Sequence, residues 1–386
     1  MAMAAARQEA VIVGVGTTDF GAQYRNRDAN RSEYQLGIDA MKTALDDAGL
    51  TKDDIDGVLT CRLPSYERFG TLAGIRHPKV VNAYEGSGRM AGVVLQHAIA
   101  LVEAGLATTV ACVYGNNGRS VGMTYGGEGA GYGPGDDAGA YDLAYGMTSP
   151  GAYVGMMYRR YQHLYGAPDG ALAPLAINNR TNAALNPVAA MTKPLTEEEY
   201  LAARYISDPL RLFDYCMIND GGVAIIVTTA DRAKHLRKPA VKAIATAGSA
   251  DLTGHYTKSD FFDTAARDVA ARVYAQAGLG PQDIDCVQVY DNFTPIVLFS
   301  LESFGFAPRG EGWQWIKDGR IGLKGETPLN TSGGHTSESY MQGWALQVEA
   351  IRQVRGEAGD RQVAGCETAQ YICVAPVVNS HIFQRA

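Results

Sequence analysis

Apolar and polar positions follow two rhythms along this chain, and the rhythms take turns. Residues 9–15, EAVIVGV, form a short β-branched run that reads as a strand, with Gly14 and Gly16 at its end. Residues 32–48 then place Leu36, Ala40, Ala44 and Ala48 on one helical face, Gly49 stops that helix, and 57–61 return to a strand. A further pair follows: residues 88–104, so rich in Ala, Val and Leu that the helix is expected to be buried all round, and the strand 108–114. Helical spacing returns at 152–165 and 174–185. Thr196, with Glu199 three residues on, forms a capping box that opens another helix, and the strand 223–228 completes the first half. The second half repeats the order with strand 241–245, helix 263–277, strand 285–290, helices 293–304 and 340–355, and a closing strand 371–378. Such alternation predicts an α/β layer fold.

Residues 116–151 break both rhythms. The run TYGGEGAGYGPGDDAGAY is dense in Gly and Tyr and carries no sustained period, which suits a lid or a backbone passing close to a ligand, and equally a solvent-facing connector. A longer regularity links the halves. AGLTKDDIDGV at 48–58 recurs as AGLGPQDIDCV at 277–287, with Ala, Gly, Leu, Asp, Ile, Asp and Val unchanged. Both copies fall at a helix-to-strand junction, so the chain reads as two copies of one unit, with an active site where equivalent loops meet.

Composition narrows the picture. With 386 residues, 46% hydrophobic and 19% charged, the chain can bury core enough for two or three lobes, and disorder is excluded. A net charge of −7 and the lack of any Lys/Arg run interleaved with aromatics argue against a nucleic acid partner. Arg7 and Glu9 interrupt what would be the apolar stretch of a signal peptide, and no eighteen consecutive apolar residues occur; a cytoplasmic location without a membrane span is expected. Cys61, Cys112, Cys216, Cys286, Cys366 and Cys373 stand singly, with no CxxC pair, so they read as core fillers and indicate neither a zinc site nor a disulfide framework.

Two segments of the second half join glycine turns to polar groups at element ends. One is Val289-Tyr290-Asp291-Asn292-Phe293, where a strand stops and a helix begins; the other is Asn330-Thr331-Ser332-Gly333-Gly334-His335, followed closely by Tyr340. Ligands in α/β sheets bind at the C-terminal ends of strands, so these loops hold the candidate site.

Together with the long stretch 178–233, which opens NNRTNAALNPVAAMTKP, these segments resemble the thiolase superfamily, in its branch of sterol-carrier-protein thiolases and lipid-transfer-protein-like enzymes. The resemblance covers essentially the whole chain. It implies two duplicated βαβαβαββ halves in a five-layered α-β-α-β-α structure: an N-terminal half of 1–115 and 215–235, an inserted loop domain of 116–214, and a C-terminal half of 236–386. It also implies a homodimer formed through the sheet and action on coenzyme A thioesters, with the coenzyme as part of the substrate and no cofactor.

The chain departs from that family at its catalytic positions. Where a nucleophilic cysteine would precede the Gly-Ser-Gly turn at the head of the buried helix, Glu85 stands before Gly86-Ser87-Gly88. The Asn-Glu-Ala-Phe motif, His-Asp-Cys-Phe in the sterol-carrier branch, corresponds to Tyr290-Asp291-Asn292-Phe293. The histidine that follows the family's Gly-Gly pair becomes Tyr340, and Gly343 matches the glycine three residues beyond. Two tyrosines thus replace two catalytic groups.

That double replacement resembles the superfamily's steroid side-chain retro-aldolases. Those enzymes split a β-hydroxyacyl-CoA bearing a tertiary ring alcohol into a ring ketone and propionyl-CoA. They work in a heterotetramer with an OB-fold and zinc-ribbon (DUF35) partner, which carries any zinc. The resemblance assigns Tyr340 to accepting the hydroxyl proton and Tyr290 to hydrogen-bonding or protonating the enolate, with the reverse assignment open. His335 either orients a site group or is a turn histidine bonded to backbone. Asp291 either caps the following helix or polarises Tyr290, and Glu85 is a cap or a weak base. Cys373 falls at the family's second reactive-cysteine position, although Val374-Ala375-Pro376 replaces the usual glycines; an inert buried thiol is the other reading. Two further functions stay open: thiolytic acyl transfer through Cys373 or another thiol, and a non-catalytic acyl-CoA-binding subunit.

Overall fold

The computed structural model describes residues 8–124, 146–147, 149–251 and 257–386; the glycine- and tyrosine-rich run beyond Thr124, up to residue 145, lies outside the described residues. In the first half, β1 (Ala10–Thr17), β2 (Gly57–Cys61), β3 (Val80–Tyr84) and β4 (Thr109–Asn116) precede a small ribbon of β5 (Tyr205–Ser207) and β6 (Leu210–Arg211), and β7 (Gly221–Thr229) closes the set. The second half supplies β8 (Val241–Ala250), β9 (Cys286–Val289), β10 (Thr368–Cys373) and β11 (Val377–Arg385). All but the ribbon form one nine-stranded sheet in the order β3-β2-β4-β7-β1-β8-β11-β10-β9. Its middle is a seam, because β1 and β8 share only the pair Ile12 and Val241. About this seam β1 corresponds to β8, β7 to β11, β4 to β10 and β2 to β9. The counterpart of β3 is reduced to one parallel bridge, Val287 with Leu329.

Helices divide the two half-sheets into layers. They are α1 (Glu33–Ala48), α2 (Met90–Glu103), α3 (Pro150–Tyr165), α4 (Ala173–Ala184), α5 (Asp263–Ala277), α6 (Thr294–Ser303) and α7 (Trp344–Arg355). α1 covers β1, β4 and β7, while α5 covers β8 and β11 and packs on α6; α2 and α7 touch each other and strands of both half-sheets. The result is the duplicated, five-layered α-β-α-β-α arrangement, with α2 and α7 in the middle layer.

The repeated phrase is a device for stopping a helix and starting a strand. Gly49 and Gly278 both adopt the left-handed conformation, φ 74° and 69°, that ends α1 and α5. Asp54 and Asp283 each accept a main-chain N–H three residues back, from Thr51 and Gly280, both at 2.7 Å. Asp56 then accepts Thr108 and Thr109 N–H at 2.8 and 2.7 Å, as Asp285 accepts Glu367 and Thr368 N–H at 2.9 and 2.8 Å. Each carboxylate thereby satisfies the start of the neighbouring parallel strand.

Three readings from the sequence change, and one strand is added. The closing strand 371–378 is two strands, β10 and β11, because the segment Val374-Ala375-Pro376 turns the chain between them. The helix expected from 340 begins at Trp344 behind Gly343 (φ 89°), leaving Tyr340 in the preceding turn. α2 is not buried all round: His97 and Ala100 are exposed, and Tyr84 of edge strand β3 meets His97 Nδ1 at 2.8 Å. β3 itself was not legible, since an open edge strand has no clean alternation.

A largely buried ion pair ties the two halves together. Asp47 on α1 accepts Val15 N–H at 3.1 Å and the fully buried Arg355 guanidinium at the end of α7 at 2.7 Å. Asp47→Ala leaves that cation buried without this partner, and a loss of about 3 kcal/mol in unfolding free energy is expected in urea titrations. A loss under about 1 kcal/mol would mean that Glu357, 3.8 Å from Arg355, substitutes for it.

Candidate active site

Tyr290 stands one residue beyond β9, where its N–H still donates to Ile372 O at 2.8 Å and continues the ladder with β10. The other side of β9 lacks a full neighbour strand. Asn330, in the left-handed region at φ 46°, fills the gap with its side chain: Oδ1 accepts Val289 N–H at 2.7 Å and Nδ2 donates to Val289 O at 3.0 Å. That pairing fixes the direction in which Tyr290 leaves the strand. Tyr340 comes from the turn before α7, and the two hydroxyls lie 2.8 Å apart, with Tyr290 only 3% exposed and Tyr340 partly buried.

The first half contributes the facing wall. A Cβ at Gly88 would sit 1.8 Å from the Tyr290 hydroxyl, so the Gly-Ser-Gly turn at the head of α2 brings bare backbone against the phenol. Gln342 Nε2 donates to Gly86 O at 2.8 Å and locks that turn to the Tyr340 turn. Loops from both copies therefore meet at the phenol pair.

His335 packs beside both tyrosines. Its ring meets Tyr290 edge-to-face at 4.8 Å and 78°, and Tyr340 at 5.1 Å and 90°. Nε2 accepts Gly343 N–H at 2.9 Å, which leaves the ring proton on Nδ1. Nδ1 is 3.2 Å from Asp291 Oδ1, but out of line for a hydrogen bond. Burial lowers the imidazole pKa to about 3, so His335 is neutral. Burial likewise pushes the Asp291 carboxyl up to about 8, against the donors that favour its ionised form. Those donors include His335 N–H at 2.8 and 3.1 Å to the two oxygens and Asn179 Nδ2 at 2.7 Å. Asp291 does not cap α6, whose N-cap residue is Phe293 with no side-chain cap bond. His335 is bonded to backbone through Gly343 N–H, and its ring packs against both phenols, whose hydroxyls meet each other directly.

The residues that the sequence reading missed sit on α4 and just beyond its end. Asn178, Asn182 and Asn186 recur every fourth residue, with Asn179 beside them, and all four are buried. Asn178 and Asn182 donate to Leu329 O at 2.9 and 3.0 Å, Asn182 also to Asn330 O at 3.2 Å, and Asn186 to Ser332 O and Glu338 Oε1, both at 3.0 Å. This polar face grips the loop that carries His335 and Tyr340. The glycine pair lets it approach: a Cβ at Gly333 would lie 2.6 Å from Ala183 Cβ, and one at Gly334 2.3 Å from Asp291 Oδ2. Its signal was present in NNRTNAALN, where amides occupy the helical positions that usually bury aliphatic groups.

Other candidates lie aside. Glu85 neither caps α2, whose N-cap residue is Arg89, nor is buried; it pairs with the Arg89 side chain at 3.1 Å, partly in solvent. Cys373 is fully buried, and desolvation pushes its thiol up to about 12. Among the described residues no three His, Cys, Asp or Glu side chains gather to hold a metal, and no helix is long and apolar enough to cross a membrane. A cavity of about 600 Å³ bordered by Ile177, Asn178, Asn182 and Ile321 includes neither tyrosine.

Comparison with known proteins places the chain in a family. Residues 247–383 match the thiolase C-terminal domain-like family. The chain is 35% identical over 372 residues, 93% of its length and 94% of the relative's, to a 17-hydroxy-3-oxo-4-pregnene-20-carboxyl-CoA lyase from Mycobacterium tuberculosis. It is 36% identical over 360 residues, 90% of both chains, to a steroid side-chain-cleaving aldolase from Thermomonospora curvata. The solved structure of an Ltp2-ChsH2(DUF35) aldolase superposes with a TM-score of 0.88 over 99% of both chains at 32% identity. A Gly-Ser-Gly turn without its cysteine, a phenol pair facing it and about 35% identity over nine-tenths of a lyase and of an aldolase lead to one conclusion: the chain belongs to the thiolase superfamily, in its family of thiolase-like aldolases.

Proposed function

We propose that the protein cleaves a steroid β-hydroxyacyl-CoA with a tertiary ring alcohol, by retro-aldol reaction, to a ring ketone and propionyl-CoA. The observation that carries this reading is the 2.8 Å bond between the Tyr290 and Tyr340 hydroxyls. Tyr340 accepts the substrate hydroxyl proton as the bond between carbinol carbon and Cα breaks. The electron pair moves onto the thioester as an enolate, and Tyr290 delivers a proton to Cα. The hydroxyl proton is thus exchanged for one on Cα, with no water or cofactor consumed. Holding a lone phenolate at neutral pH costs about 4 kcal/mol from a reference pKa of about 10. A proton passed from Tyr340 to Tyr290 as each is replaced avoids that cost, because neither phenol ends ionised.

Acyl transfer through Cys373 is disfavoured, since a thiol raised to about 12 stays protonated and this one is sealed from solvent. The same reading gives the protein a DUF35 partner with an OB-fold and zinc ribbon, on the strength of the Ltp2-ChsH2(DUF35) relative, and a cytoplasmic place of work. It also makes the protein a homodimer through β3. That strand is an open sheet edge with Val81 and Asn82 exposed, and the otherwise apolar α2 presents His97 and Ala100 beside it.

Mass spectrometry of products from a steroid β-hydroxyacyl-CoA, with and without an OB-fold partner, tests the reaction; CoA-thioester binding with no turnover under both conditions would favour a non-catalytic subunit. Tyr290→Phe and Tyr340→Phe are each expected to lower kcat for ketone release by about 100-fold or more. Near-parental rates in both would contradict the assignment. Gly88→Ala places a methyl where the Tyr290 hydroxyl sits, and should abolish ketone release while circular dichroism stays unchanged. Val81→Lys puts a charge on the open edge and should shift light-scattering mass from dimer to monomer.

A further inference from the structure

We propose that Asn179 is a positioning residue of this reaction, fixing through Asp291 and His335 the distance between the Tyr290 and Tyr340 hydroxyls. The inference rests on the retro-aldol reading. Asn179 Nδ2 donates to Asp291 Oδ2 at 2.7 Å and to Thr336 Oγ1 at 2.8 Å, joining α4 to the end of β9 and to the loop before α7. Asp291 in turn holds His335 by its main-chain N–H, and Gly343 N–H holds the imidazole at Nε2. Seized at both ends, the ring has no freedom to tilt. It packs against both phenols at once, so the positions of the two rings follow the position of the imidazole.

The assembly has no slack. A Cβ at Gly334 would lie 2.3 Å from Asp291 Oδ2 and 2.9 Å from Asn179 Nδ2, so amide, carboxyl and turn are already in contact. Asn178, Asn182 and Asn186 hold main-chain carbonyls of the loop, and Asn186 also the Glu338 carboxyl, whereas Asn179 is the one of the four that reaches Asp291. Titratable groups near Asp291 include His335 and Cys216, which burial keeps uncharged, and the adjoining Tyr290.

Removing the amide in Asn179→Ala frees Asp291 to rotate and the ring to follow. The expected result is a kcat at least about tenfold lower with KM for the thioester within about twofold of the parent, since a displaced reacting group costs rate more than binding. Asn179→Asp keeps the shape but can donate only while one proton is shared between the facing carboxyls. Its kcat should therefore recover as pH falls and drop as pH rises, a dependence that a packing defect would not produce. A kcat within about twofold of the parent in Asn179→Ala, or the parent's pH profile in Asn179→Asp, overturns the proposal.

A second readout separates this from the reaction itself. Nitrogen-15 shifts of the His335 imidazole, identified with His335→Gln, should report an Nδ1–H tautomer in the parent and a changed environment in Asn179→Asp. If the parent releases no ketone, the aldolase reading fails, and these shifts decide alone: a change sustains the positioning role and unchanged shifts overturn it.

Discussion

The 2.8 Å contact between two phenol hydroxyls is the constraint that the rest of this site serves. A phenol is a poor base unless its own proton can leave as another arrives, and only a partner within hydrogen-bond reach makes that exchange direct. Burial disfavours charge on the two titratable side chains behind the pair, His335 and Asp291. His335 stays neutral because burial holds its pKa near 3, and burial of Asp291 raises its pKa to about 8, so its proton is largely retained at neutral pH. The sign of the linkage follows: Asp291 disfavours the folded state progressively as pH rises from its unfolded value toward 8, and His335 does so as pH falls below its unfolded value toward 3. Between these limits the loop keeps formal charge away from the phenols.

The turn that would carry a nucleophile in the superfamily presents bare backbone to the phenol here. Glu85 stands where a cysteine would precede Gly86-Ser87-Gly88, yet the glycines remain, and Gly88 is needed at close quarters with Tyr290 whether or not a thiol is present. The reduced third strand of the second half is a related economy. Asn330 pairs both main-chain groups of Val289 with one amide, so the chain at 329–340 stays a loop and can carry His335 and Tyr340 instead of completing a strand.

Much of this was legible in the sequence, for reasons that differ by residue. The repeated phrase could be read because its Gly and Asp residues act locally, on turns and main-chain groups a few positions away or at the next strand. Tyr290 and Tyr340 could be read because they occupy motif positions, although their separation is a tertiary fact. The asparagines of α4 were in plain view but served only as a family mark, since nothing local announces what a buried amide will hold. Asp291 and Glu85 looked like helix caps from their places before α6 and α2. The first is pulled aside by Asn179 and the His335 main chain, and the second swings out to the Arg89 side chain. β3 escaped notice because an edge strand is half in water, and α2 looked fully buried because its composition does not record the stripe beside that edge.

A proton inventory of single-turnover ketone release tests the central claim most directly. Rates measured across mixtures of H₂O and D₂O should fall along a bowed curve, because the protons on Tyr290 and Tyr340 move in one transition state. A straight line would mean that a single proton is in flight, and would contradict a relay between the two hydroxyls.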